Sequence, residues 1–362
     1  MKYYTKNGKI YDLDEKYIFS QSDLCLEYAI SSELAATIFN PYYMTHYRAQ
    51  IEKIVTRMID SSKGKSTQFL AWPKEILYDE GGEFAGYTMT YLIGKTLHEA
   101  FDDQSLSWKD RVVLASKLCV AMKNVHEMGH KIGIFFMAFG SSKKETFDRD
   151  LYYIEYDHKT ELLVTECTIF QIHDTDNKIL EGATGDVSMY SSPEHIDIYM
   201  NNILSHKDII FTKNSDYFSL AIIIFRLLSY GTHPFLKGWT WDYEVGIHSG
   251  FCILFPETCE YNKVKVPNFT LTLDEVFPPD ICKLFKRTFV YGHKVPKLRP
   301  TADEWYSALS DLLQNLKHCE HNPMHYYHRS LQECPWCLNE KRILKNRDSS
   351  LGNTVRKLFG HR

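Results

Sequence analysis

The chain has 362 residues, of which 44% are hydrophobic and 14% aromatic, with a formal net charge of -4. That length suits one large two-lobed domain or two ordinary ones, and the apolar content excludes a disordered chain. The overall charge points to neither nucleic acid nor a membrane surface, and the apolar stretches Ile132 to Phe139 and Leu220 to Leu228 are too short to span a bilayer.

From the N-terminus, residues 1–92 read as a small strand-rich lobe. Lys16 to Phe19 and Cys25 to Ile30 alternate or run apolar like paired strands, and Ala35 to Phe39 is a third candidate. Tyr47 to Ile59 has helical periodicity through Ile51, Ile54, Val55 and Met58. Phe69 to Pro73 and Gly86 to Leu92 read as two more strands, separated by the turn formers Asp79-Glu80-Gly81-Gly82. After Gly94 the pattern turns helical. Ser107 is placed to cap a long helix ending at Gly129, with an apolar face that includes Val112, Leu114, Leu118, Met122 and Val125. A second helix begins at Ser215 or Asp216 and ends at Gly231, and others are expected over 279–290 and 302–315. Residues 316–340 contain a Cys/His cluster, and 341–362 read as a basic tail. The start of the chain is polar, with no apolar signal region, and most of the nine cysteines are scattered singly, so a cytoplasmic protein is expected.

Ser192-Pro193-Glu194 is similar to the Ala-Pro-Glu that ends a kinase activation segment. Asp216 at a helix start, Gly231-Thr232-His233-Pro234-Phe235 and Leu298-Arg299-Pro300-Thr301 follow in kinase-like order. Phe69-Leu70-Ala71-Trp72-Pro73, Gly86-Tyr87-Thr88-Met89, Thr301-Ala302-Asp303-Glu304-Trp305 and Cys334-Pro335-Trp336-Cys337 narrow the resemblance. Together these residues resemble a bacterial kinase-like family that carries a Cys-Pro-Trp-Cys knuckle after the kinase lobe and is associated with PP2C-type phosphatase and von Willebrand factor A partners. The resemblance implies an α+β, bilobal protein-kinase-like fold, with a strand-rich N-lobe over 1–92, a helical C-lobe over 93–315 and a small zinc-knuckle-like extension over 316–340. It also implies that Glu194 pairs with a buried Arg299, since an uncompensated buried charge is strongly destabilising. Asp216 would brace the catalytic loop from below.

Phosphoryl transfer needs a phosphate cradle, a lysine on the phosphates, a positioning aspartate and acids for Mg²⁺. Phe19 to Cys25 has no glycine to let a backbone hug phosphates, and Asp23 there would repel them. Against the family's Ala-Lys-Ile-Tyr, Ala36-Thr37-Ile38-Phe39 puts Thr37 in the place of the lysine. Lys53 is either a substitute or a solvated side chain, and Glu52 is either the glutamate that would have paired with the lysine or an exposed acid. After Gly133 the family has Asp-Leu-Asn, whereas this chain has Ile134-Phe135-Phe136, a triplet expected to pack rather than face an open pocket. Asp148, five residues before Tyr153, is the alternative catalytic aspartate, with Tyr153 in the place of the asparagine. Leu163 to Ile172 fits the family's Ile-Asp-x-Asp-Ser-Phe-Gln-Ile, so Glu166 and Thr168 replace the two aspartates, and Glu166 keeps an oxygen ligand for a cation. Asp174 and Asp176 mimic an Asp-x-Asp metal motif but read as solvated loop acids.

Cys319, His325, Cys334 and Cys337 form C-x5-H-x8-C-x2-C, a spacing that suits a structural zinc, with His321 and His328 as rival ligands and free thiols or a redox pair as alternatives. The combined losses point to a pseudokinase, a binding, scaffold or regulatory module for a PP2C-type phosphatase, a von Willebrand factor A protein or an active kinase. They also argue against ATP and Mg²⁺ as cofactors, and enzymatic activity is not expected. The rival readings are a divergent Ser/Thr kinase or other ATP-dependent transferase using Asp148 and Glu166, and a nucleotide or small-molecule sensor using the interlobe cleft.

Overall fold

The computed structural model describes residues 1–133, 154–156, 160–165, 167–181, 189–200, 210–235, 243–255 and 271–345. Its contacts fall into two units, one of residues 1–100, 117–188 and 198–216, the other of 101–116, 189–197 and 217–362.

The first unit is built on an antiparallel sheet whose strands are β1 (Lys2–Tyr4), β2 (Ile10–Asp12), β3 (Ile18–Gln21), β4 (Cys25–Ala29), β5 (Leu34–Phe39), β6 (Glu75–Tyr78) and β7 (Phe84–Thr90). They lie in the order β2-β1-β6-β7-β5-β4-β3. Successive side chains on a strand alternate between faces. Ala35, Tyr87 and Met89 pack with Met44, Ile51 and Val55 of helix α1 (Pro41–Ser62). Tyr28, Ala36, Ile38 and Leu77 pack with Tyr3, Tyr11 and Leu13 from the start of the chain. With both faces covered, the central strands read as apolar runs rather than a clean alternation. The strands at β1, β2 and β6 were not expected; they are short and lean on tyrosines.

Helix α1 begins six residues before its periodicity becomes visible. The Asn40 side chain accepts from the Tyr42 amide at 3.0 Å and Pro41 occupies the first turn, the asparagine-proline pair being the start signal. Phe69 to Pro73 is not the strand its apolar run suggests. Phe69 has φ 65°, and the segment makes one parallel bridge, Leu70 to Val164. Pro73 cannot donate to a ladder. Burial holds the segment instead: Trp72 is 1% exposed, and its indole N–H donates to the Met58 carbonyl at 2.9 Å.

Beyond the sheet come β8 (Lys95–Thr96), helices α2 (Leu97–Asp102) and α3 (Trp108–Glu127), then β9 (Ile154–Tyr156) and β10 (Leu162–Val164), which pair in the order β10-β9-β8. The hairpin β11 (Ile172–His173) and β12 (Ile179–Glu181) follows. The second unit contains helices α6 (Tyr243–His248), α7 (Leu273–Val276), α8 (Pro279–Lys286) and α9 (Ala302–Gln314), and most of α4 (Pro193–Met200) and α5 (Lys213–Leu228). A π turn, Arg287–Tyr291, follows α8. Leu220 to Phe225 of α5 are wholly buried, as expected for a helix apolar all round. The helix stops where Tyr230 (φ 51°) and Gly231 (φ 83°) turn left-handed. A capping box between Thr301 and Glu304 starts α9. The hairpin β13 (Leu316–His318) and β14 (Tyr326–His328) precedes helix α10 over 335–345. Arg342 of that helix pairs with Glu275 at 2.6 Å. Among the described residues no helix is long and apolar enough to cross a membrane.

Gly86 marks the tightest strand contact: a Cβ there would lie 2.0 Å from the Thr37 carbonyl oxygen. Backbone cannot give way as a side-chain tip can, so Gly86→Ala should cost about 1–3 kcal/mol in urea unfolding. An unchanged midpoint would show that β5 and β7 lie further apart than described.

Candidate functional site

Asp216, at the start of α5, is fully buried. Its carboxylate accepts from the backbone amides of Ile132 and Gly133, each at 2.9 Å, and from His126 Nε2 at 2.7 Å. Gly133 is left-handed, and a Cβ on it would press on the Phe211 ring at 2.9 Å. Asp216 therefore braces the 129–133 segment. The residues that follow, Ile134-Phe135-Phe136, Asp148 and Tyr153, lie outside the described residues, as does Glu166.

A second cluster sits beside this brace. His130 Nδ1 accepts from the His173 amide at 3.1 Å, so in the neutral ring the proton is on Nε2, which donates to Ser61 Oγ at 2.9 Å. Ser61 passes its own proton to the Met58 carbonyl at 2.7 Å. Trp72 stacks on His130 with ring centroids 5.8 Å apart, and Arg57 Nε donates to the His173 carbonyl at 2.7 Å. Burial, then the charge of Arg57, pushes the His130 pKa down to about 3; burial and Lys131 also lower that of His173. No periodicity or spacing along the chain points to this pair.

The strand positions expected to handle phosphate hold no lysine or arginine among the described residues. Thr37 donates to Glu27 Oε1 at 3.4 Å. Burial raises the Glu27 pKa. Glu52 does not meet Thr37; it accepts from the Tyr78 hydroxyl at 3.4 Å. Lys53 and Asp23 are exposed, and so are Asp174 and Asp176 or nearly so. Asp174 caps its own turn by accepting from the amides of Asp176 and Lys178 at 2.9 and 2.8 Å.

In the second unit Glu194 and Arg299 meet end to end. Arg299 donates from Nη1 to Oε1 at 2.8 Å and from Nη2 to Oε2 at 2.6 Å, while its Nε donates to the Gly292 carbonyl at 2.7 Å. Burial alone would raise the Glu194 pKa, but the hydrogen bonds and charge of Arg299 outweigh it and hold the carboxyl below its ordinary value. Two parallel bonds to a rigid fork are the strongest form of this pair.

The fourth group is Cys319, His325, Cys334 and Cys337, whose ligand atoms all lie within 4.8 Å of one another. Cys319 Sγ is 3.6 Å from Cys337 Sγ, and His325 Nδ1 is 3.7 and 3.5 Å from Cys334 Sγ and Cys337 Sγ. Tetrahedral thiolates about 2.3 Å from a zinc ion would stand about 3.8 Å apart, so the donor set fits such an ion. His325 Nε2 lies 3.5 Å from Glu340, which fixes the ring with Nδ1 toward the thiols. The cluster could hold a metal ion. The rivals stand elsewhere: His328 Nδ1 is 2.6 Å from Ser330 Oγ, and His321 offers its backbone amide to Cys319 Sγ at 3.4 Å. Burial opposes thiolate formation, yet amides from His321 and Asn322 pull the Cys319 pKa down to about 7, while burial pushes Cys334 up to about 12. Trp336, between the last two cysteines, packs on Trp108 and Tyr230 with ring centroids 5.2 Å from each.

No family model matches the chain. Over 296 aligned residues, 77% of its length, it is 25% identical to the protein kinase YegI of Escherichia coli K12, and equally to that of Escherichia coli O157:H7. The alignment covers 42% of each of those proteins, so the chain spans less than half the length of the curated relatives it matches. The chain is thus distantly similar to a bacterial protein kinase.

His130, His173 and Glu194 each contribute to its acid stability. Neutral His130 and His173 resist a proton that the unfolded chain accepts near the ordinary value of 6.5, so stability is full above that pH and falls below it. The contribution of Glu194 is present above its unfolded value of 4.5 and fades as pH drops through its lowered folded value. Urea midpoints should fall steadily from pH 7 to pH 5, with a shallower slope in His130→Gln. A flat wild-type profile would show that the histidines are not held neutral.

Proposed function

We propose that the chain is a kinase-framed binding module that does not transfer phosphate. The observation that carries this reading is the face of β4, β5 and β7 around Thr37: hydroxyls and a carboxyl stand where phosphates require a cation. The braces that shape such a frame, Asp216 and the Glu194–Arg299 pair, are retained. A frame kept with its charges removed from the reacting centre suits recognition or scaffolding. On this reading residues 1–92 and 93–315 correspond to the two lobes, the chain works in the cytoplasm, and its partner is a protein such as a PP2C-type phosphatase, a von Willebrand factor A protein or an active kinase.

The name of the E. coli relatives, protein kinase, supports the second reading, a divergent transferase that draws on Asp148 and Glu166. Incubation with labelled ATP and Mg²⁺ separates the two. No transfer by the wild type, no difference in Asp148→Ala and no thermal stabilisation by micromolar MgATP are expected; transfer lost in Asp148→Ala would overturn the first reading.

We further propose that Cys319, His325, Cys334 and Cys337 hold a structural zinc. The region around them is too small for a core of its own, and in such segments metal binding supplies folding free energy, on the order of 10 kcal/mol in zinc-finger peptides. Native mass spectrometry of chain purified without a metal-affinity step should find one zinc per chain. Chelation should remove it and shift tryptophan emission as Trp336 loses its packing, and Cys337→Ser should weaken retention. Metal-free chain with unchanged emission would dismiss the site.

A further inference from the structure

The four donors at 319–337 are not placed alike. Cys319, His325 and Cys334 are 2%, 6% and 8% exposed, whereas Cys337 is only partly buried. Cys337 is also central to the group, with its Sγ 3.6 Å from Cys319 Sγ and 3.5 Å from His325 Nδ1. The two sulfurs belong to different elements: Cys319 follows β13 and Cys337 lies in the first turn of α10. Cys319 is the anchored partner. Its amide donates to the His325 carbonyl at 2.9 Å, and its sulfur accepts from the His321 amide at 3.4 Å. Cys334 packs on His325 Nδ1 at 3.7 Å, so the sulfur within hydrogen-bonding distance of Cys337 Sγ is that of Cys319. A disulfide holds its sulfurs about 2.05 Å apart, which leaves this pair a short distance to close.

We propose that Cys337 is a modification site at which a hydroperoxide oxidises the knuckle, with Cys319 as the resolving thiol, so that the metal position releases its ion in response to peroxide. The proposal rests on the reading of the four residues as a zinc site. The Cys337 thiolate attacks one oxygen of hydrogen peroxide. An S–O bond forms, the O–O bond breaks, the sulfur gives up two electrons, and the departing hydroxide takes a proton to become water. The Cys319 thiolate then attacks the sulfur of the Cys337 sulfenic acid. The S–S bond forms, the S–O bond breaks, and a second hydroxide leaves and is protonated. Two thiolates, one peroxide and two protons thus give one disulfide and two waters. Cys334 and His325 remain, and two donors are too few for an ion that takes four. A resolving thiol this close captures the sulfenic acid before further oxidation makes it irreversible. Trp336 adjoins Cys337 and packs on Trp108 and Tyr230, so movement of Cys337 toward Cys319 is passed to that packing.

The test treats the zinc-loaded full chain with hydrogen peroxide, follows released zinc with a chromogenic chelator, and maps disulfides by differential alkylation and peptide mass spectrometry. Zinc release and a Cys319–Cys337 disulfide should rise together, one of each per chain. Cys119 and Cys252, each 1% exposed, should stay reduced. Dithiothreitol with added zinc should restore the starting state. Cys334→Ser keeps both reacting sulfurs and should form the same disulfide, whereas Cys337→Ser should lose it. Zinc released without that disulfide, a bridge to Cys334 in its place, or zinc and thiols untouched by peroxide would overturn the switch and leave the zinc reading standing. Oxidation of Cys119 and Cys252 at the same rate would also overturn it, since unfolding would then expose every thiol. A full chain that takes up no zinc would overturn both readings together.

Discussion

Asp216 is wholly buried, and a buried carboxyl must find its hydrogen bonds within the protein. Two backbone amides and one imidazole satisfy it, and each imposes a local geometry. Taking the amides of both Ile132 and Gly133 forces the chain to curl around the carboxylate, which Gly133 permits through its left-handed φ of 76°. Gln171 completes the arrangement. Its backbone bridges Lys131, and its side chain receives the Phe211 amide and donates to the Phe211 carbonyl. One carboxylate and one amide side chain therefore set the relative positions of the 129–133, 171–173 and 211–216 segments. An alanine at position 216 would leave the Ile132 and Gly133 amides without this acceptor, each costing roughly 1–3 kcal/mol.

What could be read from the sequence depended on whether a feature is local. Most of helix α1 announced itself through periodicity, α5 through its end signals, and the cysteine cluster through spacing, because all four donors fall within nineteen consecutive positions, 319 to 337. Glu194 and Arg299 are 105 residues apart, and only the resemblance placed them together. Ser20, Glu27, Thr37 and Tyr87 share no period at all. They form a row because strand register sets them opposite one another, and register is invisible until the pairing order β7-β5-β4-β3 is known. Phe69 to Pro73 failed for the converse reason. Its apolar run is real, but burial of Trp72 satisfies it without a ladder.

Where charge is retained, it is retained for shape. Arg299 commits its Nε to a carbonyl and both Nη atoms to a glutamate, with the Phe218 ring 4.9 Å beneath the guanidinium. Arg111 donates to the carbonyls of Phe101 and Asp103 and lies 4.5 Å over the Tyr230 ring. Around Thr37 the polar groups are hydroxyls and an acid whose buried site favours its neutral form. Buried charge persists where a partner of fixed geometry compensates it.

The cysteine knuckle follows the same logic with a different partner. Cys334 and Cys337 are three residues apart at the start of α10, so both thiols project toward Cys319 and His325. Trp336, one position away, points elsewhere, onto Trp108 and Tyr230, and its indole N–H donates to the Tyr326 carbonyl at 2.8 Å. One helical turn thus serves two ends, gathering the donors on one side and docking an aromatic side chain on the other. Four clustered donors without an ion would have to share protons among buried sulfurs, a poor use of burial. An ion held there would fix the same turn that sets the docking angle of Trp336 on Trp108 of α3, since a single backbone segment carries both.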